Sequence, residues 1–202
     1  MEQRIPLLRR LGLLSVGLTI LLMVLGAWVK ANGAGLSCPD WPACYGKLLP
    51  PFPSYENGGT WHGQPVLYSQ AQELYEWGHR AVVSLLFVPL AAFALVAAFG
   101  KTLRPALRWL PLAALGLYFF QAFLGAVTVL TGNPPWATTF HLATAVAFLT
   151  TQLVATCAAY FAPTAPTRLE PTTPTAAAPG LVQPRAFTGY TWADSRPPEK
   201  NG

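Results

Sequence analysis

Charge is what this sequence has least of. Only 10% of its 202 residues are Asp, Glu, Lys or Arg, against about 25% in an ordinary soluble domain. The hydrophobic share is 52% and the mean hydropathy is +0.36. So little charge cannot cover a surface for water, which excludes a soluble enzyme and a disordered regulator. The net charge of +5 comes from 13 Lys and Arg spread along the chain. They form no patch of the kind that binds nucleic acid. Metal-ligating residues are also scarce, with three Cys and three His. Cys38 and Cys44 would need a second ligand pair to hold zinc, and His62 alone cannot supply it.

Four runs are nearly free of charge: residues 11–29, 77–99, 109–130 and 137–161. Only His79 and Arg80 interrupt the second, at its start, and only His141 the fourth. Each run is near the ~20 residues that cross a ~30 Å hydrocarbon core as a helix. Lipid offers the backbone no hydrogen bonds, so spans of this length must be helical. The first run has the basic start of a signal peptide but is long for one, and no small-residue cleavage site follows it. It is read as an uncleaved helix. The fold class is therefore an all-α membrane protein, a four-helix bundle over residues 1–162.

The remaining charges are unevenly placed. Arg4, Arg9 and Arg10 face a single Glu2, and Lys101, Arg104 and Arg108 lie between the second and third runs without an acid. The 30–75 loop has Lys30 and Lys47 against Asp40, Glu56 and Glu73. The positive-inside rule puts both termini in the cytoplasm and the 30–75 loop outside a cell membrane. Residues 163–202 contain eight prolines mixed with Thr and Ala. Without apolar periodicity they read as a disordered cytoplasmic tail or linker. Cys38 and Cys44 flank PDWPA in the outer loop, where an oxidising exterior favours a disulfide over two free thiols. Cys157 reads as a small packing residue.

Ionisable groups at membrane depth are costly and mark function by default. There are four: Glu76, His79, Arg80 and His141. The first three share one helix face by their spacing, and an interfacial Glu76–Arg80 cap is the plain alternative to a functional cluster. Pro134 and Pro135 suit the opening turn of the fourth helix, which puts His141 roughly 9 Å deep and His79 roughly 5 Å deep. The second and fourth helices run in the same direction. Two imidazoles at matched depth suit a flat cofactor whose metal takes both as axial ligands, as haem iron does. Two packing histidines are the alternative.

Several stretches together resemble one family. They are GLSCPDWPAC over Gly35–Cys44, EWGHR over Glu76–Arg80, QAFLGAVTVL over Gln121–Leu130, and Pro135-Trp136 leading to His141. In order and on the expected side of the membrane, they resemble the N-terminal half of haem A synthase over residues 11 to about 160. The resemblance implies oxidation of a methyl group of haem O to a formyl group, giving haem A for terminal oxidases. It implies His79 and His141 as haem axial ligands, Glu76 as the catalytic residue, and a Cys38–Cys44 pair in the outer loop. Arg80 would balance Glu76 or reach a haem propionate.

The resemblance also implies haem O as substrate, with haem b a further cofactor candidate. A haem O synthase would be the donor and a separate protein the source of electrons, all within membrane lipid and without nucleic acid. The usual member has two four-helix halves, so this chain reads as a homodimer, as the amino-terminal part of a fusion, or as an inactive truncated half. A non-catalytic b-type haem electron carrier or haem-handling module is the competing function. A carrier has no evident use for a buried carboxylate beside the iron. A structural subunit without cofactor would leave His141 unexplained.

Overall fold

The computed structural model of the protein describes residues 4–100 and 103–162. Four helices account for most of them: α1 (Arg4–Ala31), α2 (Gln70–Ala98), α3 (Pro105–Leu130) and α4 (Pro135–Tyr160). All four are long and apolar enough to cross a membrane. The tail expected to be disordered, 163–202, lies outside the described residues.

Local chemistry fixes the helix starts. At α2 the Ser69 side chain accepts from the Gln72 amide at 3.3 Å, and the Gln72 side chain accepts from the Ser69 amide at 3.1 Å. This reciprocal pair satisfies donors the helix cannot. It starts α2 at Gln70, about two turns before the charge-free run. Glu73, expected in the outer loop, is therefore on the helix and buried. Prolines open α3 and α4 at positions where a missing N–H costs nothing. The α3–α4 turn needs left-handed backbone, supplied by Gly132 and Asn133 at φ of 77° and 59°.

Each helix packs on its two neighbours in the ring α1–α2–α3–α4, which leaves α2 and α4 diagonal to one another. One buried cluster joins Ile5, Leu8, Phe93, Leu107 and Ala155 near the chain's N-terminal end of the bundle. A second, around Leu86, Leu90, Tyr118 and Phe148, fills the middle. Large apolar side chains such as Trp109, Phe123 and Phe140 cover the outside, as expected of a surface facing hydrocarbon. Cys157 is exposed on α4, not packed inside as its size suggested.

Arginines at the start of α1 close two other helices. Arg4 donates to the Phe99 carbonyl just past α2, and Arg9 to the carbonyls of Ala159 and Tyr160 at the end of α4. Cations at helix C-termini satisfy orphan carbonyls and complement the helix dipole.

At the other end, residues 32–69 form a compact cap. Cys38 and Cys44 are joined in a disulfide. With Tyr45, Phe52 and Val66 they build a small core of their own, with Trp77 of α2 packed against it. A two-residue hairpin pairs β1 (Thr60–Trp61) with β2 (Gln64–Pro65). Its turn, His62 and Gly63, has positive φ at both positions, the backbone that matches strand twist in tight hairpins.

Candidate functional site

Two of the candidate side chains, Glu76 and Arg80, meet the cap at the start of α2. The Glu76 carboxylate is nearly fully buried, and both of its oxygens are occupied. Oε1 pairs with Arg80 at 2.5 Å, while Oε2 accepts from the Cys38 amide at 2.9 Å and the Ser37 hydroxyl at 3.1 Å. Arg80 is committed in the same direction. Its guanidinium also donates to the carbonyls of Cys38, Asp40 and Ala43. Those three carbonyls belong to the seven-residue ring closed by the disulfide. Asp40 stiffens that ring from within, accepting from the Tyr45 and Gly46 amides at 2.6 and 2.8 Å. A helical ion pair thus clasps the loop from below.

The Tyr45 phenol lies against this junction, and its pKa is raised by burial first and by the nearby Glu73 carboxylate second. Glu73 is fully buried, and its carboxylate oxygens have no hydrogen-bond partner meeting ordinary geometry.

The two histidines face elsewhere. His79 lies against α1, where a Cβ added at Gly26 would come within 3.2 Å of its Cε1. His141 lies against α3, where a Cβ added at Gly125 would sit 3.6 Å from its Cε1. The rings project from diagonal helices, one toward each remaining helix. The Nδ1 of each is buried without a hydrogen-bond partner.

A haem fits this donor set. Two neutral-capable imidazoles are its usual nitrogen ligands, and both carry an unpartnered buried nitrogen beside a glycine-lined cradle. Side-by-side helices lie about 8–10 Å apart, and diagonal helices lie further apart than neighbouring ones, so the two imidazoles come from the more widely spaced pair.

Sequence reasoning brought Glu76, His79 and Arg80 to one helix face, and the structure places Glu76 and Arg80 on the loop while His79 turns toward α1. It missed Ser37 and Asp40, whose roles depend on how the ring folds. It also missed Gly26, an isolated helical glycine, which is the available signal for close approach to a neighbour.

Fold and site define a four-helix membrane protein with a half-buried histidine on each of two diagonal helices and a disulfide-closed loop at the same end. The family model for COX15-CtaA, described as cytochrome oxidase assembly protein, matches residues 9–187, and the chain belongs to that family. Its relatives include the haem A synthase of Methylobacterium nodulans, 32% identical over 71% of this chain and 40% of the relative. That of Symbiobacterium thermophilum is 30% identical over 75% of this chain and 44% of the relative. The haem A synthase of Caulobacter sp. strain K31 is 30% identical over 63% of this chain and 36% of the relative. The chain thus spans less than half the length of the curated relatives it matches. No solved structure matches it.

Proposed function

We propose that the protein acts in haem A biosynthesis as a haem-modifying oxidoreductase of the cell membrane. The reaction is oxidation of a methyl substituent of haem O to a formyl group. The observation that carries this reading is the pair of half-buried imidazoles on diagonal helices, each with its Cε1 edge against a helical glycine and its Nδ1 buried without a hydrogen-bond partner. His79 and His141 are the residues that would hold the haem, through their imidazole nitrogens. Bound haem iron supplies the redox chemistry that an unactivated methyl group requires.

The chain's own groups do the rest. Gly26 and Gly125 leave room for the rings. The loop around Cys38–Cys44 covers the same end of the bundle and keeps bulk water off the pocket. Glu76, one turn from His79, is the acid–base group for the reacting substituent. Arg80 neutralises it and fixes the loop. Haem O arrives from a haem O synthase and electrons from a separate donor. A homodimer would restore the two-half arrangement of longer relatives.

Purified protein supplied with haem O and a reductant tests this. The haem is extracted and its substituents are resolved by chromatography. Haem A in the extract is the expected result. Haem bound throughout but never converted would leave a b-type haem carrier in its place. That second reading is favoured by one feature, the commitment of Glu76 and Arg80 to the loop.

A further inference from the structure

We propose that Gln121 and Gly125 of α3, acting with Thr144, are positioning residues that set the height and rotation of His141. The proposal rests on the reading of His141 as a haem ligand. The QAFLG stretch drew attention in the sequence as part of a resemblance, without a role. The structure gives it one. Gln121 and Gly125 are four apart, so they stand on one face of α3 a single turn from each other. That face meets α4.

The Gln121 side-chain amide donates to the Thr144 hydroxyl. The Thr144 hydroxyl lies 2.8 Å from the Phe140 carbonyl and 3.1 Å from the His141 carbonyl. The turn that carries the imidazole is therefore tied to α3 through one hydroxyl. One turn nearer the α3–α4 connection, Gly125 faces the ring itself, with an added Cβ 3.6 Å from Cε1.

The register is that of two antiparallel helices leaving a short turn. Gly125 and His141 are about six residues from it on either side, and Gln121 and Thr144 about ten. A polar bond fixes the lower point and a missing side chain frees the upper one. A side chain larger than Ala at position 125 meets the imidazole edge and rotates it. A lost bond at 121 lets α4 slide along α3.

In an apolar interior an amide–hydroxyl pair has no water to exchange with. Its geometry is therefore better defined than van der Waals contact between helices alone would make it. That definition matters because a ligand nitrogen must stay within a few tenths of an ångström of its metal.

The test uses the full chain purified with its haem, reading haem retained per protein and the optical and electron paramagnetic resonance spectra of the bound iron. Thr144→Val keeps the shape and removes the hydroxyl, and Gln121→Met removes the amide. Each should alter the haem spectrum and lower haem affinity on the order of tenfold, the usual effect of losing a group that orients a ligand. The double variant should be no worse than either single one, because the two share one bond. Thr144→Ser should restore the unaltered spectrum.

Should Thr144→Val fail to accumulate, Gln121→Met carries the same expectation. Spectra of both variants identical to the unaltered protein would overturn the positioning role. His141→Gly, with and without added imidazole, is the separate control. If it leaves the haem spectrum unchanged, the ligand reading falls and the positioning role falls with it. If it changes the spectrum and imidazole restores it, the first outcomes stand as tests of Gln121 and Thr144 alone.

Discussion

Glu76 is held by the loop, and the proposed function asks a second role of it. Its oxygens hold the Ser37 hydroxyl, the Cys38 amide and the Arg80 guanidinium. Glu76→Gln keeps size and hydrogen bonding but loses the charge and the base. On the proposed function, haem should stay bound while haem A formation falls by about 10²–10⁴-fold, the range for losing a general acid–base group. An unchanged rate with haem bound would remove Glu76 from the chemistry and leave it to the loop. Arg80→Gln reads the loop directly. It strands three carbonyls and a buried carboxylate, and breaking such a pair costs on the order of 3–5 kcal/mol. The Cys38–Cys44 disulfide should then reduce faster at a fixed reductant concentration, as followed by thiol alkylation. Tyr45 gives a pH test. Its raised pKa means the unfolded phenol ionises first, so stability is intact below pH about 10. It should fall as pH rises beyond that value, and Tyr45→Phe should make the fall shallower. An alkaline stability profile indifferent to Tyr45→Phe would contradict the buried phenol.

Between elements, contact distance decides what can change. A Cβ at Gly12 would lie 2.6 Å from the Thr156 hydroxyl, so α1 and α4 approach at backbone range there. Gly12→Ala should destabilise the bundle by about 1–3 kcal/mol, the usual cost of overpacking. Thr156→Ala should recover most of it in the double variant, measured as denaturant midpoints in one detergent. Additive losses would show that the two residues do not meet. The same scale explains what the sequence made legible. The four helices were visible because charge is absent from hydrocarbon-crossing runs. Their ends were not, because hydropathy marks the width of the hydrocarbon and a helix stops at its caps. Ser69 and Gln72 extend α2 beyond the apolar run, and Glu73 moves with it from loop to buried helix. Spacing put Glu76, His79 and Arg80 on one face. It could not divide that face between loop and pocket, because the division depends on where the ring of residues 38–44 folds back. Parallel running of the second and fourth helices was legible from topology. Their diagonal placement was not, since helix neighbours are chosen by packing partners such as Gly12 and Thr156.

For the whole molecule, the two ends of the bundle differ in kind. One carries the disulfide loop and the histidine level of α2 and α4. The other carries Arg4, Arg9, Arg10, Arg104 and Arg108, with Arg4 and Arg9 bonded to the ends of α2 and α4. Arg4 and Arg9 close helix ends, and the five arginines together give that end a basic bias whose consequence is an expected orientation. The bias of Lys and Arg in short loops predicts that this end lies on the cytoplasmic side. On that prediction the loop end faces outward, where an oxidising medium would keep Cys38 and Cys44 joined. The prediction is that a reporter fused after Gly59 reads outside and one fused after Phe161 reads inside. Moving the basic charges should weaken this in proportion. Replacing Arg104 and Arg108 by neutral residues should produce a mixed population, while replacing exposed Lys47 in the loop should change nothing. The two fusions reversed would put the disulfide in a reducing compartment and the histidines in the inner leaflet. Haem A formation at the outer face would then be untenable, whatever the pocket binds.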